Sequence, residues 1–321
     1  MPMNFRASLT SLFSYLGASL SGLAALAPSQ FSGHPVAILC NRSMESFMPR
    51  LIMEFQKTHK DVDFKVDTAV RFPFDRSGLG ENTTEIFDDM SGAKFAERYG
   101  YAPLTIMISG GARHVPDKLQ ALGVFVHPSN PLQSLSMDQL EQIYSKKPRD
   151  GKPPITTWGQ LGLAGDWANR PIMVCSVNRY GGAPGGFFNY HVLGDTEPRD
   201  DAREYMHSAP IIGAVASEPY AIGYVAMVYV NSTVKPLAIS PPGRNGAVLP
   251  TEENERQLRY PLGIPFYLSI NLAPNKSLDP YLRDFISLVL SPPGQKIISD
   301  DGYLPLPEEA VIKELAKLNS R

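Results

Sequence analysis

An apolar strand, an amphipathic helix and a second strand follow one another near the beginning of the chain, and this order constrains the fold more than any other feature. Residues 34–40 form an apolar run typical of a buried strand. Residues 44–59 place apolar side chains at helical spacing, and Ser43 stands where an N-cap is expected. Residues 62–66 alternate apolar and polar side chains, as a half-buried strand does. A strand–helix–strand unit of this length predicts parallel strands and an α/β fold.

Alternating elements continue along the rest of the chain. Further strands are predicted at residues 104–109, 124–127, 171–177, 211–216, 223–230 and 264–272. Helices are predicted at residues 94–99, 278–290 and 308–318. The 321 residues are enough for two compact units, each able to bury a core without a metal or a disulfide.

Charge and cysteine content say little about specific partners. The formal net charge is -2, whereas a nucleic-acid-binding surface needs a basic patch or stripe, so we expect no nucleic-acid partner. The two cysteines, Cys40 and Cys175, each fall in a predicted strand. An exported protein can form disulfides, but we expect both of these thiols to be reduced and not paired with each other.

The first residues have the pattern of a secretory signal. Arg6 is followed by an apolar stretch rich in small residues, at 9–27, which is too short for a confident membrane span. We expect residues 1–29 to be a signal peptide, cleaved either after Ala27 or after Ser29. An uncleaved anchor and a disordered tail are the alternatives. The predicted location is therefore the periplasm or the exterior.

Sequence motifs of enzymes are absent from the chain. It contains neither a G-x-S-x-G elbow, nor a phosphate-binding G-x-x-x-x-G-K-[ST] loop, nor an H-E-x-x-H zinc motif. The six histidines are scattered without the spacing of metal ligands. We expect no catalytic residue, no metal and no cofactor, although sequence alone leaves a catalytic carboxylate pair open.

The most specific local feature is the glycine-rich segment VCSVNRYGGAPGGFF, from Val174 to Phe188. A buried strand leads into Arg179, and Gly181 and Gly182 follow before a predicted helix. Glycines between a strand and a helix let backbone N–H groups converge, and the helix N-terminus adds partial positive charge. Arg179 supplies a fork for an oxyanion. The pattern predicts an anion cradle; a plain surface turn is the alternative.

Several further segments occur in an order that resembles one known family. They are NPLQSLSMDQLEQIYS and TTWGQLGLAGDW before the glycine turn, and SEPYAIGYVAMVYV and SPPGQKIISDDGYLPLP after it. Together they resemble the periplasmic phosphate-binding proteins of ABC importers, over roughly residues 35–318. The segment YGYAPLTIMISGGARHVPDKLQALGVFVHPSNPL is similar to a divergent branch of that family.

The resemblance implies a type II periplasmic-binding fold with two lobes, each a mixed sheet flanked by helices. Lobe one would contain residues 31–127 and 262–321, and lobe two residues 128–261. The expected hinge lies at residues 125–127 and 266–268. The implied function is capture of a small oxyanion, phosphate or similar, by a monomer that serves an ABC transporter permease. A secreted hydrolase and a transporter-independent scavenger or sensor remain alternatives.

The implied ligand residues depart in part from the family pattern. The family's Ser-Gly-Thr turn is Ala183-Pro184-Gly185 here, so hydroxyl donors are missing, and the expected ligand is a small oxyanion, phosphate or similar. The implied ligands are Arg179, Gly181 and Gly182 in the second lobe. In the first lobe they are Arg42 and Ser43 after the first strand, and Ser91 or Ser77 in the family's third loop.

Overall fold

The computed structural model describes residues 34–39, 44–67, 83–85, 96, 100–178, 183–194, 196–243 and 246–319. Two mixed five-stranded sheets organise these residues, each beside its own hydrophobic core. The predicted α/β class, with mixed sheets flanked by helices, is confirmed. Among the described residues, no helix is long and apolar enough to cross a membrane.

The first sheet contains the predicted strand–helix–strand unit. Its strands, in spatial order, are Val62–Asp67, His34–Leu39, Thr83–Glu85, Phe266–Ile270 and Leu104–Ser109. Val62–Asp67 and His34–Leu39 are parallel, as predicted, and the unpredicted strand Thr83–Glu85 is parallel to His34–Leu39. Phe266–Ile270 is antiparallel to its two neighbours.

Four helices pack around the first sheet. They are Met48–Gln56, Pro280–Leu290, Pro292–Asp300 and Glu308–Asn319. Within this core the Phe55 ring meets Phe64 and Phe285 edge-on, with ring centroids 5.7 and 5.5 Å apart. Each such aromatic pair adds roughly 0.5–1.5 kcal/mol beyond the area that it buries.

The first helix begins later than the sequence predicts. Its first residue is Met48 and its N-cap is Phe47, which makes no side-chain cap bond, so the prediction of Ser43 as N-cap is wrong. Pro49 explains the start, because proline has no N–H and is tolerated only in the first turn of a helix. The buried face is as predicted, with Leu51 and Phe55 among its members.

The second sheet lies between the remaining helices. Its strands, in spatial order, are Lys235–Pro236, Leu122–Val126, Ala221–Ala226, Met173–Val177 and Arg203–Tyr205. The α-helices here are Met137–Tyr144, Ala183–Phe188 and Ala209–Ser217, and single 3-10 turns occur at Trp158–Leu161, Gly165–Trp167 and Met227–Tyr229.

The helix Ala209–Ser217 replaces the strand predicted at residues 211–216, which is a correction. Pro210 occupies the first helical turn, where proline is favoured. Ile211 and Val215, one turn apart, are buried and face Gly223 of the neighbouring strand. A short apolar run of this kind has no periodicity that separates a buried strand from a buried helix.

Two short strand pairs lie outside the two five-stranded sheets. Ala238–Ser240 pairs with Ser134–Ser136, and Tyr303–Leu304 pairs with Gly111–Ala112. The small helix Glu252–Arg256 lies beside the second of these pairs. Leu122–Val126 pairs with Ala221–Ala226 in the second sheet, although the predicted lobe boundary at residue 127 would place it in lobe one. The division into lobes stays a prediction.

Candidate functional site

Three parallel strands of the first sheet end side by side. Leu39 is in register with Asp67 on one side and with Glu85 on the other. Ligands of open α/β sheets bind outside the carboxyl ends of the strands. The predicted site residues of this half follow these three ends: Arg42 and Ser43 come after Leu39, Ser77 after Asp67, and Ser91 after Glu85. These four residues lie outside the described part of the chain.

The glycine turn leaves the second sheet at the equivalent edge. Val177 ends its strand in register with Tyr205 of the parallel neighbour. Asn178 is held there by two bonds: its N–H donates to the Tyr205 carbonyl at 2.8 Å, and its Nδ2 donates to Glu204 Oε2 at 2.8 Å. Helical structure resumes at Ala183. The predicted ligands Arg179, Gly181 and Gly182 lie between these ends and outside the described residues.

The helix after the turn is anchored to the second sheet by aromatic stacking. The Phe188 ring lies parallel to the Tyr224 ring, with centroids 3.7 Å apart, and meets Tyr144 at 4.8 Å. The helix Ala183–Phe188 continues into a wider π-helical turn, Asn189–Leu193. The C-terminal end of this helix is therefore fixed against the second sheet by packing.

A cavity of about 270 Å³ lies between the two sheets. Met107 and Tyr267, which are paired in register, contribute from the first sheet, and Phe187 and His191 contribute from the helix after the glycine turn. The remaining wall residues are Gly110 and seven residues between positions 255 and 265: Glu255, Leu258, Tyr260, Pro261, Gly263, Ile264 and Pro265. The cavity adjoins the carboxyl edge of the first sheet, because Gly110 directly follows Ser109, the last residue of its strand.

Glu255 is the acidic residue in this cavity wall, and its side chain is almost completely buried at 1% exposure. Its Oε1 lies 2.6 Å from His114 Nε2, while Oε2 has no hydrogen-bond partner among the described residues. The backbone N–H of His114 donates to Glu252 Oε1 at 2.9 Å. Burial raises the pKa of the Glu255 carboxyl, and the neighbouring His114 opposes part of that rise.

Sequence reasoning missed this cavity. Its walls come from chain segments far apart in sequence, and Glu255 stands in the charged run EENER, which has the composition of a solvated helix. The only available signal was the tight spacing of Gly263, Pro261 and Pro265, which marks a segment of restricted backbone.

The thiol and the possible metal ligands of the described residues do not indicate a reactive centre. Cys175 is a buried free thiol, and burial raises its pKa to about 11, so it is protonated and unreactive at neutral pH. Cys40 lies outside the described residues. In the described part of the chain, no three His, Cys, Asp or Glu residues are grouped to hold a metal ion.

Comparison with known sequences gives consistent matches. The family model described as PBP superfamily domain matches residues 88–293. The phosphate-binding protein PstS of Pseudomonas aeruginosa is 35% identical over 225 residues, which cover 70% of this chain and 67% of that protein. Protein SphX of Synechococcus elongatus is 26% identical over 205 residues, covering 62% and 58% of the two chains.

A solved structure has the same arrangement. The crystal structure of PstS from Borrelia burgdorferi aligns with a TM-score of 0.58 at 15% identity, covering 85% of this chain and 99% of that one. At this identity the likeness concerns the fold alone.

Proposed function

Because the chain belongs to the PBP superfamily, we propose that it is an exported solute-binding protein that captures a small oxyanion, phosphate or a close analogue. The fold is the predicted type II periplasmic-binding fold, which the likeness to a solved phosphate-binding protein confirms. The solute is held between the two halves of the molecule and delivered to the permease of an ABC transporter.

The observation that carries this proposal is the strand–turn–helix junction of the second sheet. A buried strand ends at Val177, the Asn178 side chain is tied to Glu204, and a packed helix starts at Ala183. A junction built in this way presents backbone N–H groups and the positive end of a helix to an anion. Support comes from the 35% identity over 225 residues to a phosphate-binding protein. The family model also matches residues 88–293, a range that includes this junction.

We assign the oxyanion ligands to both sides of the cleft. Arg179 donates a bidentate pair of hydrogen bonds, and the N–H groups of Gly181 and Gly182 donate beside it. Arg42 and Ser43, with Ser77 or Ser91, complete the site from the carboxyl edge of the first sheet. Because the helix begins at Met48, Ser43 would donate from the preceding loop and not as the helix N-cap.

Two further features belong to the proposal. The chain is exported, with its mature N-terminus between Pro28 and Phe31, because the small-residue apolar stretch after Arg6 has the pattern of a secretory signal. It acts as a monomer without catalysis, since its role is to bind and release.

Substitution of Arg179 tests the proposed site. Arg179→Ala should weaken phosphate binding about tenfold to a hundredfold, because a charge-assisted hydrogen bond contributes roughly 1.5–3 kcal/mol. The matched control is Arg203→Ala, which removes an exposed arginine at the start of the strand Arg203–Tyr205, away from its carboxyl end. Isothermal titration calorimetry measures both. Equal affinity of Arg179→Ala and the wild type would remove Arg179 from the site.

A further inference from the structure

The cavity between the two sheets has room for a small organic molecule. It encloses about 270 Å³, whereas an engineered apolar cavity of about 150 Å³ already binds benzene. Met107 and Tyr267 line it from the first sheet, and Phe187 and His191 line it from the helical segment that packs on the second. A molecule in this space would therefore contact both halves of the protein.

The cavity offers no permanent charge to such a molecule. Among the described residues that line it, none is a lysine or an arginine. Glu255 contributes to the wall, but its carboxylate is fully buried. Its Oε1 lies 2.6 Å from His114 Nε2, and its Oε2 packs against Gly111, where an added Cβ would lie 3.3 Å away. A charged molecule would find no partner for its charge, so the cavity favours neutral ones.

Aromatic and sulfur-containing side chains give the walls their chemical character. The rings of Phe187 and His191 have centroids 4.0 Å apart and an interplanar angle of 33°, and together they form an aromatic wall. Tyr267 supplies a ring and Met107 a thioether from the first sheet. Aromatic rings attract one another beyond the area that they bury, and methionine sulfur makes favourable contacts with ring edges. These side chains favour an aromatic ligand.

Leu258 distinguishes this cavity from a simple packing gap. It lines the cavity, and yet 39% of its surface is exposed to solvent. Its φ of 56° is left-handed, a conformation that glycine or asparagine usually adopts after a helix end and that is strained for leucine. Strained backbone of this kind clusters at ligand-binding sites. An apolar ligand in the cavity would cover the exposed part of this side chain.

We propose that the cavity is a second binding site, for a small neutral aromatic molecule that contacts the aromatic wall and covers Leu258. This site is separate from the oxyanion site proposed above and does not depend on it.

A pair of isosteric ligands tests the class of molecule. Calorimetry on the wild-type protein compares phenylacetamide with phenylacetate at about pH 8, where an ordinary histidine is neutral. The two molecules share the ring and differ in charge. We expect phenylacetamide to bind at least about tenfold more tightly, because the charge of phenylacetate would be buried without a partner. Equal or tighter binding of phenylacetate, or no binding of either molecule, would overturn the proposal.

Methionine methyl signals locate the bound molecule. In protein labelled with methyl-¹³C methionine, the ring current of phenylacetamide should shift the Met107 signal, which Met107→Leu identifies by its loss. The signals of Met53 and Met206, which are 68% and 59% exposed and do not line the cavity, should stay in place. Phenylacetamide that binds without shifting the Met107 signal would lie elsewhere, and the proposal would be wrong.

Two glycine substitutions test the strained leucine. Leu258→Gly keeps the backbone conformation accessible and removes the exposed side chain, so it should weaken phenylacetamide binding about threefold to tenfold. Asn275→Gly makes the corresponding change at a φ of 63°, at an exposed position that does not line the cavity, and should leave the affinity unchanged. Unfolding midpoints show whether both variants are folded. Equal affinity of Leu258→Gly and the wild type would remove Leu258 from the site.

Discussion

Three glutamates are almost fully buried among the described residues, and their partners differ in kind. Glu314 Oε2 accepts from the Met107 N–H at 3.0 Å and lies 2.5 Å from Lys317 Nζ. Glu141 Oε1 accepts from the Arg149 N–H at 3.0 Å. Glu255 has His114 beside one oxygen only. A buried carboxyl with incomplete partners costs free energy of folding when it is ionised.

The raised pKa of Glu255 predicts a particular dependence of stability on pH. The folded state holds the Glu255 proton more tightly than the unfolded state does, so this contribution to stability is fully present below the ordinary glutamate pKa of 4.5 and is lost as the pH rises through the folded value. As the pH rises above about 4.5, the free energy of unfolding of Glu255→Gln should therefore increase relative to the wild type. Urea denaturation at several pH values measures this.

Glu253 supplies a control of opposite sign. Its pKa is lowered, chiefly by the hydrogen bond from Arg256. The contribution of Glu253 to stability is therefore present above the ordinary glutamate pKa and is lost as the pH falls through the pKa of the folded state. The free energy of unfolding of Glu253→Gln should lie below that of the wild type at neutral pH and approach it as the pH decreases. Parallel pH profiles for the two variants would contradict the environments described for the two carboxyl groups.

At the scale of elements, periodicity predicted most of the fold and failed where tertiary packing decides. The parallel unit at the beginning of the chain followed from the spacing of its apolar residues, and the structure has it. The helix Ala209–Ser217 was missed because a short apolar run fits a buried strand equally well. The glycine turn could be predicted from one short segment of sequence. The cavity beside Glu255 could not, because residues distant in sequence form it.

The contact between the helix Ala209–Ser217 and the strand Ala221–Ala226 can be tested with two glycines. A Cβ at Gly223 would lie 2.6 Å from Ile211 Cγ2 and 3.0 Å from Val215 Cγ2, so Gly223→Ala should destabilise the protein by about 1–3 kcal/mol through overpacking. Gly213, in the same helix, has open space at its Cβ position. Gly213→Ala should stabilise by about 0.5–1 kcal/mol.

Chemical denaturation of the two glycine variants measures both effects. Equal stabilities for Gly223→Ala and Gly213→Ala would contradict the packing of this helix on the second sheet.

At the scale of the whole molecule, one described side chain is common to the surroundings of both cores. Leu119 packs against both the core of the first sheet and that of the second. Near it, the chain passes from Gly111–Ala112 into Leu122–Val126, and it returns to the first sheet at Phe266–Ile270. These two crossings join the halves, and the hinge predicted at residues 125–127 and 266–268 stays a prediction.

The proposed export has its own test. If the small-residue stretch after Arg6 is a secretory signal, the exported protein should begin between Pro28 and Phe31. Mass spectrometry of the N-terminal peptide determines this position. An exported protein that still begins at Met1 or Pro2 would contradict the prediction.

Ligand-dependent stability tests the account of an oxyanion receptor most directly. Thermal denaturation is recorded with phosphate, sulfate and small carboxylates. A ligand that binds only the folded state adds about 2.7 kcal/mol of stability at 100 times its dissociation constant. The oxyanion-receptor proposal predicts a rise in the unfolding midpoint with phosphate and none with the carboxylates. A midpoint that no phosphate compound shifts would contradict it.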